Sequence, residues 1–219
     1  MNHTVIISDI HLGSPHCRKA ALIDFLRSLP DEAGLILNGD VVDRYHVKWQ
    51  AADDAILDEL RGRSRRAPVI WIRGNHDRHF HLESPEGIEM RHHLLLDHGL
   101  YVSHGDEFET VLRYARPFTL LLRIAYRCSR IALRRPPDDA EFVKNWHFLY
   151  AIAHRHVRAN AVRYARRHDF HAVVSGHTHV AEDTTIRGIR YLNTGAWTES
   201  PVYAVNLTGR EIDYRRVYG

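Results

Sequence analysis

Hydrophobic positions in the first third of the chain follow two periods in turn. Thr4-Val5-Ile6-Ile7-Ser8 is a β-branched run, and Leu35-Ile36-Leu37-Asn38 and Val69-Ile70-Trp71-Ile72 are further short apolar runs. Runs of this length without polar alternation predict strands buried on both faces. Between them the period lengthens. Leu22, Phe25, Leu26 and Leu29 recur at i, i+3, i+4 and i+7 before Pro30, and Ala52, Ala55, Ile56 and Leu60 share one helical face up to Arg61. Strand, helix, strand, helix, strand predicts a parallel sheet within an α/β domain.

The last third is strand-rich. Ala172-Val173-Val174-Ser175 predicts a strand, and Thr184 to Asn193 a strand–turn–strand about Arg187-Gly188. Ala204 to Leu207 and Glu211 to Val217 flank Thr208-Gly209 as a hairpin. The middle, about residues 108–168, reads as helical, interrupted by Arg134-Arg135-Pro136-Pro137. Asp138 with Glu141 is a capping pattern for a second long helix whose apolar face runs through Phe142, Trp146, Tyr150, Val157, Ala161 and Tyr164. The expectation is a single domain over 1–219 with a helical insertion, placed where a lid would be.

Composition narrows the classes. Of 219 residues, 44% are hydrophobic and 26% charged, which excludes a disordered chain. No apolar run approaches the roughly 20 residues that span a bilayer. No secretory signal is visible at Met1-Asn2-His3-Thr4, and Cys17 and Cys128 form no metal-spaced pair, so a cytoplasmic location is expected. Two counts stand out: 18 histidines, and 30 basic residues of which only Lys19, Lys48 and Lys144 are lysine. Forked guanidinium donors suit phosphate, so a phosphate-bearing partner is expected. A net charge of +3 without an aromatic–basic strip argues against nucleic acid.

Chemistry concentrates in five blocks: Asp9-Ile10-His11, Gly39-Asp40-Val41-Val42-Asp43-Arg44, Gly74-Asn75-His76-Asp77, His104-Gly105-Asp106, and Gly176-His177-Thr178-His179. Each falls just past a predicted strand's C-terminal end, where open α/β sheets place their ligands. Mixed His, Asp and Asn donors suit manganese, iron or zinc better than oxygen-only or thiolate shells would. Two ions about 3.5–4 Å apart need a bridging carboxylate, and Asp40 is the candidate.

This series, in order over residues 5 to 197, resembles the calcineurin-like metallophosphoesterase superfamily. The resemblance implies a two-sheet αββα sandwich with a helical cap, and two divalent metal ions, manganese first, with iron, zinc or magnesium as alternatives. It implies that Asp9, His11 and His179 hold one metal, that Asp40 bridges, and that Asn75, His104 and His177 hold the other. His76 would be the acid beside the leaving oxygen, oriented by Asp43, and Arg44 matches a phosphate-contacting arginine. The implied reaction is hydrolysis of a phosphoester or pyrophosphate by a hydroxide bridging the two ions.

Within the superfamily, the opening Ser8-Asp9-Ile10-His11-Leu12-Gly13-Ser14, the insert and Asn193 to Ser200 resemble bacterial UDP-2,3-diacylglucosamine hydrolases and their relatives, which act in lipid A biosynthesis. That resemblance implies a nucleotide-lipid substrate. One position departs: the best-known branch has arginine where this chain has His76. In the insert, Arg116, Arg123, Arg127, Arg130 and Arg134 fall on one helical face. Arg123, Arg127 and Arg130 are candidate substrate contacts, and the same face could meet the inner membrane peripherally. The other readings are an esterase for small soluble phosphates, a nuclease, and a metal-free protein-binding scaffold. Oligomeric state is left open.

Overall fold

A computed structural model describes residues 3–43, 49–97, 99–110 and 139–219, with side chains in the last helix from residue 150 onward. Arg44 and the arginines at 116, 123, 127, 130 and 134 lie outside the described residues, as does Cys128.

The elements follow the hydrophobic pattern closely. Strand β1 (His3–Ile7) leads to helix α1 (Lys19–Ser28), β2 (Gly34–Asn38), α2 (Ala51–Ser64) and β3 (Val69–Ile72). Then come β4 (Ile88–Arg91), β5 (His93–Leu96), β6 (Leu100–Ser103), the long helix α3 (Asp139–Arg167), β7 (Ala172–Ser175), β8 (Glu182–Ile186), β9 (Ile189–Asn193), β10 (Val202–Thr208) and β11 (Glu211–Tyr218). Strands β4, β5 and β6 lie outside the apolar runs that predict strands. β4 and β5 have only four residues each and stand at one edge of their sheets, where half-exposed positions dilute any apolar run, whereas β6 is equally short but buried throughout.

Among the described residues the strands form two sheets, ordered β11-β10-β1-β2-β3-β4 and β5-β6-β7-β9-β8. The expected parallel sheet exists as β1 to β4, and the C-terminal hairpin β10–β11 extends it by pairing antiparallel with β1. The hairpin β8–β9 turns at Arg187 and Gly188, both with positive φ, the geometry that matches strand twist.

Period-two alternation explains the apolar runs. Val5, Ile7, Leu35, Leu37, Val69 and Trp71 pack with Leu22, Leu26, Ile56 and Leu60 of the two helices. Their neighbours Ile6, Ile36, Ile70 and Ile72 point the other way, onto Leu100, Val102, Val174 and Leu192 of the second sheet. Ile6, Ile36 and Ile70 are level across the three strands, so β1, β2 and β3 end at one height. On the far face of the second sheet Tyr101 stacks on Phe170, and Tyr164 of α3 leans on Tyr101 with centroids 5.1 Å apart. This is the αββα sandwich.

The chain divides into two compact units, Met1–Asp106 with Ala161–Gly219, and Glu107–Asn160. Helix α3 begins in the second and ends in the first. Within the second, the Asn160 side chain donates to the Phe108 carbonyl and, with Thr110, contacts His156 Nε2. No described helix is long and apolar enough to cross a membrane.

Two features of the helical layer carry predictions. Arg63 of α2 is buried, and its guanidinium donates to the carbonyls of Leu26, Leu29 and Pro30 at 2.8–3.1 Å, satisfying the C-terminal end of α1. Arg63→Ala leaves those carbonyls without a donor and is expected to lower stability by about 3 kcal/mol in urea unfolding. Cys17 is buried against the same core, and burial pushes its thiol up to about 12. Its thiolate is therefore scarce at pH 8. In native protein Cys17 is expected to resist iodoacetamide, reacting only once the chain is unfolded, as peptide mapping would show.

Candidate metal centre

Level strand ends bring the five blocks to one edge. Backbone bonds stitch the first two loops together: Asp9 N–H donates to Gly39 O, His11 N–H to Asp40 O, and Leu12 N–H to Val41 O, all within 3.0 Å. The second sheet is tied in from below. Asn38 Nδ2 donates to Ser103 O at 2.9 Å, and His104 Nδ1 donates to Asn38 O at 3.0 Å.

Backbone conformation marks the site independently of side-chain type. Asp9, His11, Asp40, His177 and His179 all have φ between 51° and 66°. The left-handed region costs an L-residue roughly 1–2 kcal/mol. Finding it at five of the expected ligands points to a constraint stronger than local preference. The glycines of the motifs make room for these residues. At Gly39 a positive φ of 84° is required; at Gly176 no turn is needed, but a Cβ would collide with Asp9 Oδ2.

The side chains fall into three groups. Ligand atoms of Asp9, His11 and His179 lie within 4.8 Å of one another, as do those of Asp40, His104 and His177. A third such set, His11, Asp43 and His76, adjoins the first through the shared imidazole. Asp9 accepts from His177 N–H at 3.1 Å, and Asp40 Oδ1 accepts from His76 N–H at 2.8 Å. The inward-facing atoms crowd one another. His11 Nε2 and His179 Nε2 are 3.1 Å apart, and His179 Nε2 is 3.4 Å from Asp9 Oδ1. His104 Nε2 stands 3.2 Å from Asp40 Oδ2 without the alignment of a hydrogen bond. Asn75 Oδ1 is buried with no partner at all. Converging nitrogens and carboxylate oxygens fit divalent cations.

Electrostatics tell the same story. Burial alone would raise Asp9 and Asp40, but His179 and His104 hold the Asp9 carboxyl below its ordinary range, and His104, with His76 and His11, does the same for Asp40. Burial likewise works against charge on the imidazoles. The carboxylates overcome it at His104, which is driven well above its ordinary value, and at His179, which reaches about 10. His11 goes the other way, lowered by burial more than Asp9 and Asp40 raise it. The buried anions demand positive charge, and without an ion that charge is protons on His104 and His179.

His76 stands edge-on to His11, with ring centroids 4.9 Å apart. Its Nδ1 contacts Asp43 Oδ1 at 3.1 Å, and its Nε2 is 4.0 Å from Asp40 Oδ2. Asp106 pairs with Arg78 at 2.5 Å and also raises His104. Three residues at the site were given no role from sequence. Asp77, buried, accepts from Val41 N–H, Gly74 N–H and Trp71 Nε1 at 2.6–2.9 Å, locking two ligand loops together. Asp53, also buried, accepts from Gly13 N–H and from Lys19 Nζ, fixing the loop after His11. Glu199 reaches His179 Nδ1 at 3.5 Å. Asp77 is quoted within a motif, and acidic Asp53 falls in the first turn of a helix; nothing local singles out Glu199.

Two packed sheets with this donor set at their common edge define a metal-dependent hydrolase of the phosphoesterase class. The chain belongs to the calcineurin-like phosphoesterase family, whose model matches residues 3–181. No curated protein matches it. Solved structures with a similar fold include Yfce, a phosphoesterase from E. coli, at 14% identity and TM-score 0.47 over 98% of this chain and 99% of that one. The Pseudomonas putida nuclease MPE has 15% identity and TM-score 0.48 over 97% and 87%, and Vacuolar Protein Sorting 29 from Cryptosporidium parvum has 13% and 0.49 over 98% and 96%.

A methyl group at residue 176 tests the packing argument. Gly176→Ala is expected to displace the Asp9 carboxylate and to weaken divalent-metal uptake about tenfold or more, within the range of altered ligand support. Metal analysis after dialysis against limiting Mn²⁺ would show it, with circular dichroism reporting the fold.

Proposed function

We propose that the protein is a dinuclear-metal-dependent hydrolase of a phosphoester or pyrophosphate bond. The observation that supports this reading is the pair of buried ligand groups meeting around Asp9 and Asp40, with His104 Nε2 and Asn75 Oδ1 buried without hydrogen-bond partners. Asp9, His11 and His179 would hold one ion and Asn75, His104 and His177 the other, with Asp40 between them. Divalent ions there, manganese first, would supply Lewis-acid charge to the phosphoryl oxygens and lower the pKa of an attacking water.

The remaining steps belong to the chain itself. Asp43 fixes the His76 ring through Nδ1, so Nε2 faces the centre and can give its proton to the departing oxygen. Burial of Asp9 and Asp40 keeps their charge unscreened, which strengthens their hold on the cations that would meet the phosphoryl oxygens. Arg44, which follows Asp43 in the same block, is the proposed phosphate contact.

For the substrate, we propose an amphipathic phosphate compound of the nucleotide-lipid kind, UDP-2,3-diacylglucosamine or a relative, on the motif resemblance and the insert. Arg123, Arg127 and Arg130 would contact it, and peripheral membrane contact at the cytoplasmic face would accompany it. The second reading, small soluble phosphoesters, is favoured by one observation: the His76–Asp43 pair is present where the best-known lipid branch has arginine.

Mn²⁺-loaded protein is expected to hydrolyse bis-p-nitrophenyl phosphate and to lose activity in EDTA. Inactivity on that substrate and on a broad phosphoester panel would sink the enzyme reading. Acylated and deacylated forms of the same UDP-sugar separate the two substrate classes, the lipid reading requiring preference for the acylated one. His76→Ala is expected to slow hydrolysis by about 10²–10³ for an alkoxide leaving group, within the range of general acid catalysis. Loss should be far smaller for p-nitrophenolate, which departs without a proton. Equal losses on both would show that His76 does not act as the acid.

A further inference from the structure

We infer that Glu199 is the positioning residue for His179, fixing its tautomer and ring orientation so that Nε2 is presented to a metal ion. This rests on the metal-site reading above and extends it to a residue with no ligand motif around it.

The case starts from how the segment after β9 is laid over the site. Ser8 Oγ contacts Thr194 Oγ1 at 2.7 Å and donates to Gly195 O at 3.2 Å. Trp197 N–H donates to Asp9 O at 2.9 Å, so this strap is bonded directly to a ligand-bearing residue. Arg18 holds its outer side: its N–H donates to Trp197 O at 3.0 Å and its Nε to Glu199 O at 3.1 Å. Glu199 N–H in turn donates to Ala196 O at 3.2 Å, making a turn. The backbone of Glu199 is thus anchored on both sides, and its carboxylate is delivered to His179 Nδ1 at 3.5 Å.

The opposite ring nitrogen faces inward. Nε2 lies 3.4 Å from Asp9 Oδ1 and 3.1 Å from His11 Nε2. An imidazole that binds a cation through one nitrogen must carry its proton on the other, and an acceptor there selects that tautomer and raises the basicity of the ligand nitrogen. His104 shows the same device, its Nδ1 donating to Asn38 O. Each candidate metal group therefore contains one histidine held from behind, His104 by a backbone carbonyl and His179 by a side chain that mutation can remove.

Loss of such a partner lowers metal affinity about 10- to 100-fold. Glu199 is 62% exposed and its contact is long, which places the expected effect at the lower end. The test is titration of metal-free full-length protein with Mn²⁺ by isothermal calorimetry. Wild type should take up two equivalents. Glu199→Ala should weaken one of them about tenfold and leave the other within twofold. Glu199→Gln keeps an acceptor for the ring N–H and should recover most of that loss.

The assignment is overturned if Glu199→Ala titrates as wild type does, or if both equivalents weaken together, which would mark a general loosening of the strap. It is also overturned if Glu199→Gln is as weak as Glu199→Ala, because charge alone would then be at work. His179→Ala separates this from the underlying reading. If wild type binds no Mn²⁺, or His179→Ala binds as wild type, the metal site itself is wrong and the assignment falls with it.

Discussion

Two carboxylates, Asp9 and Asp40, are buried within electrostatic reach of each other, and each raises the free energy of its neighbour's charge. A pair of buried like charges is tolerated only where cations answer it. Much of the local structure can be understood as that answer. Imidazoles of His104 and His179 crowd the oxygens, and backbone N–H groups of His76 and His177 point at them. Main-chain torsions at five positions are driven into a costly region so that the side chains turn inward. Glycines stand where any larger residue would push a carboxylate away.

That cluster can be assembled because the strands end level. Ile6, Ile36 and Ile70 share a row, and the residues just beyond them become the ligand loops. Buried ionic groups then act as braces. Asp77 joins the loops after β2 and β3, Asp53 joins the loop after β1 to the N-termini of α1 and α2, and Arg63 closes the end of α1. Each brace is a charged group whose partners are mainly backbone, so removing its side chain would strand buried polar groups. The scaffold around the metal ligands is consequently held by the same kind of interaction as the site itself.

The ligand blocks were legible because each follows a strand whose apolar run is continuous, and because chemistry that needs several donors from one turn must write them close together. Strands β1 to β3 and the C-terminal hairpins were legible for the same reason. The edge strands β4 and β5 were not, since Ile88-Glu89-Met90-Arg91 has too little buried surface to leave a pattern. Nor does sequence distinguish a carboxylate that binds metal from one that braces a loop. Asp53 and Asp77 look like ordinary acidic residues until their backbone donors are seen. Gly176 is needed for clearance from a side chain 167 positions earlier, which no local pattern shows. Glu199 and His179 meet only through folding, because the contact is made by a strap whose path no local pattern specifies.

One rule runs through the histidines. In His76, His104 and His179 the Nδ1 atom is engaged by the protein, by Asp43, the Asn38 carbonyl and Glu199 respectively, and Nε2 is left facing the centre. A common tautomer would seem to give them a common role, yet distance separates them. The Nε2 atoms of His104 and His179 stand 3.2 and 3.4 Å from Asp40 and Asp9, close enough to share an ion with those carboxylates. For His76 the corresponding gap to Asp40 is 4.0 Å. The same residue type, held from behind in the same way, therefore stands at two distances from the buried carboxylates, 3.2–3.4 Å for His104 and His179 and 4.0 Å for His76.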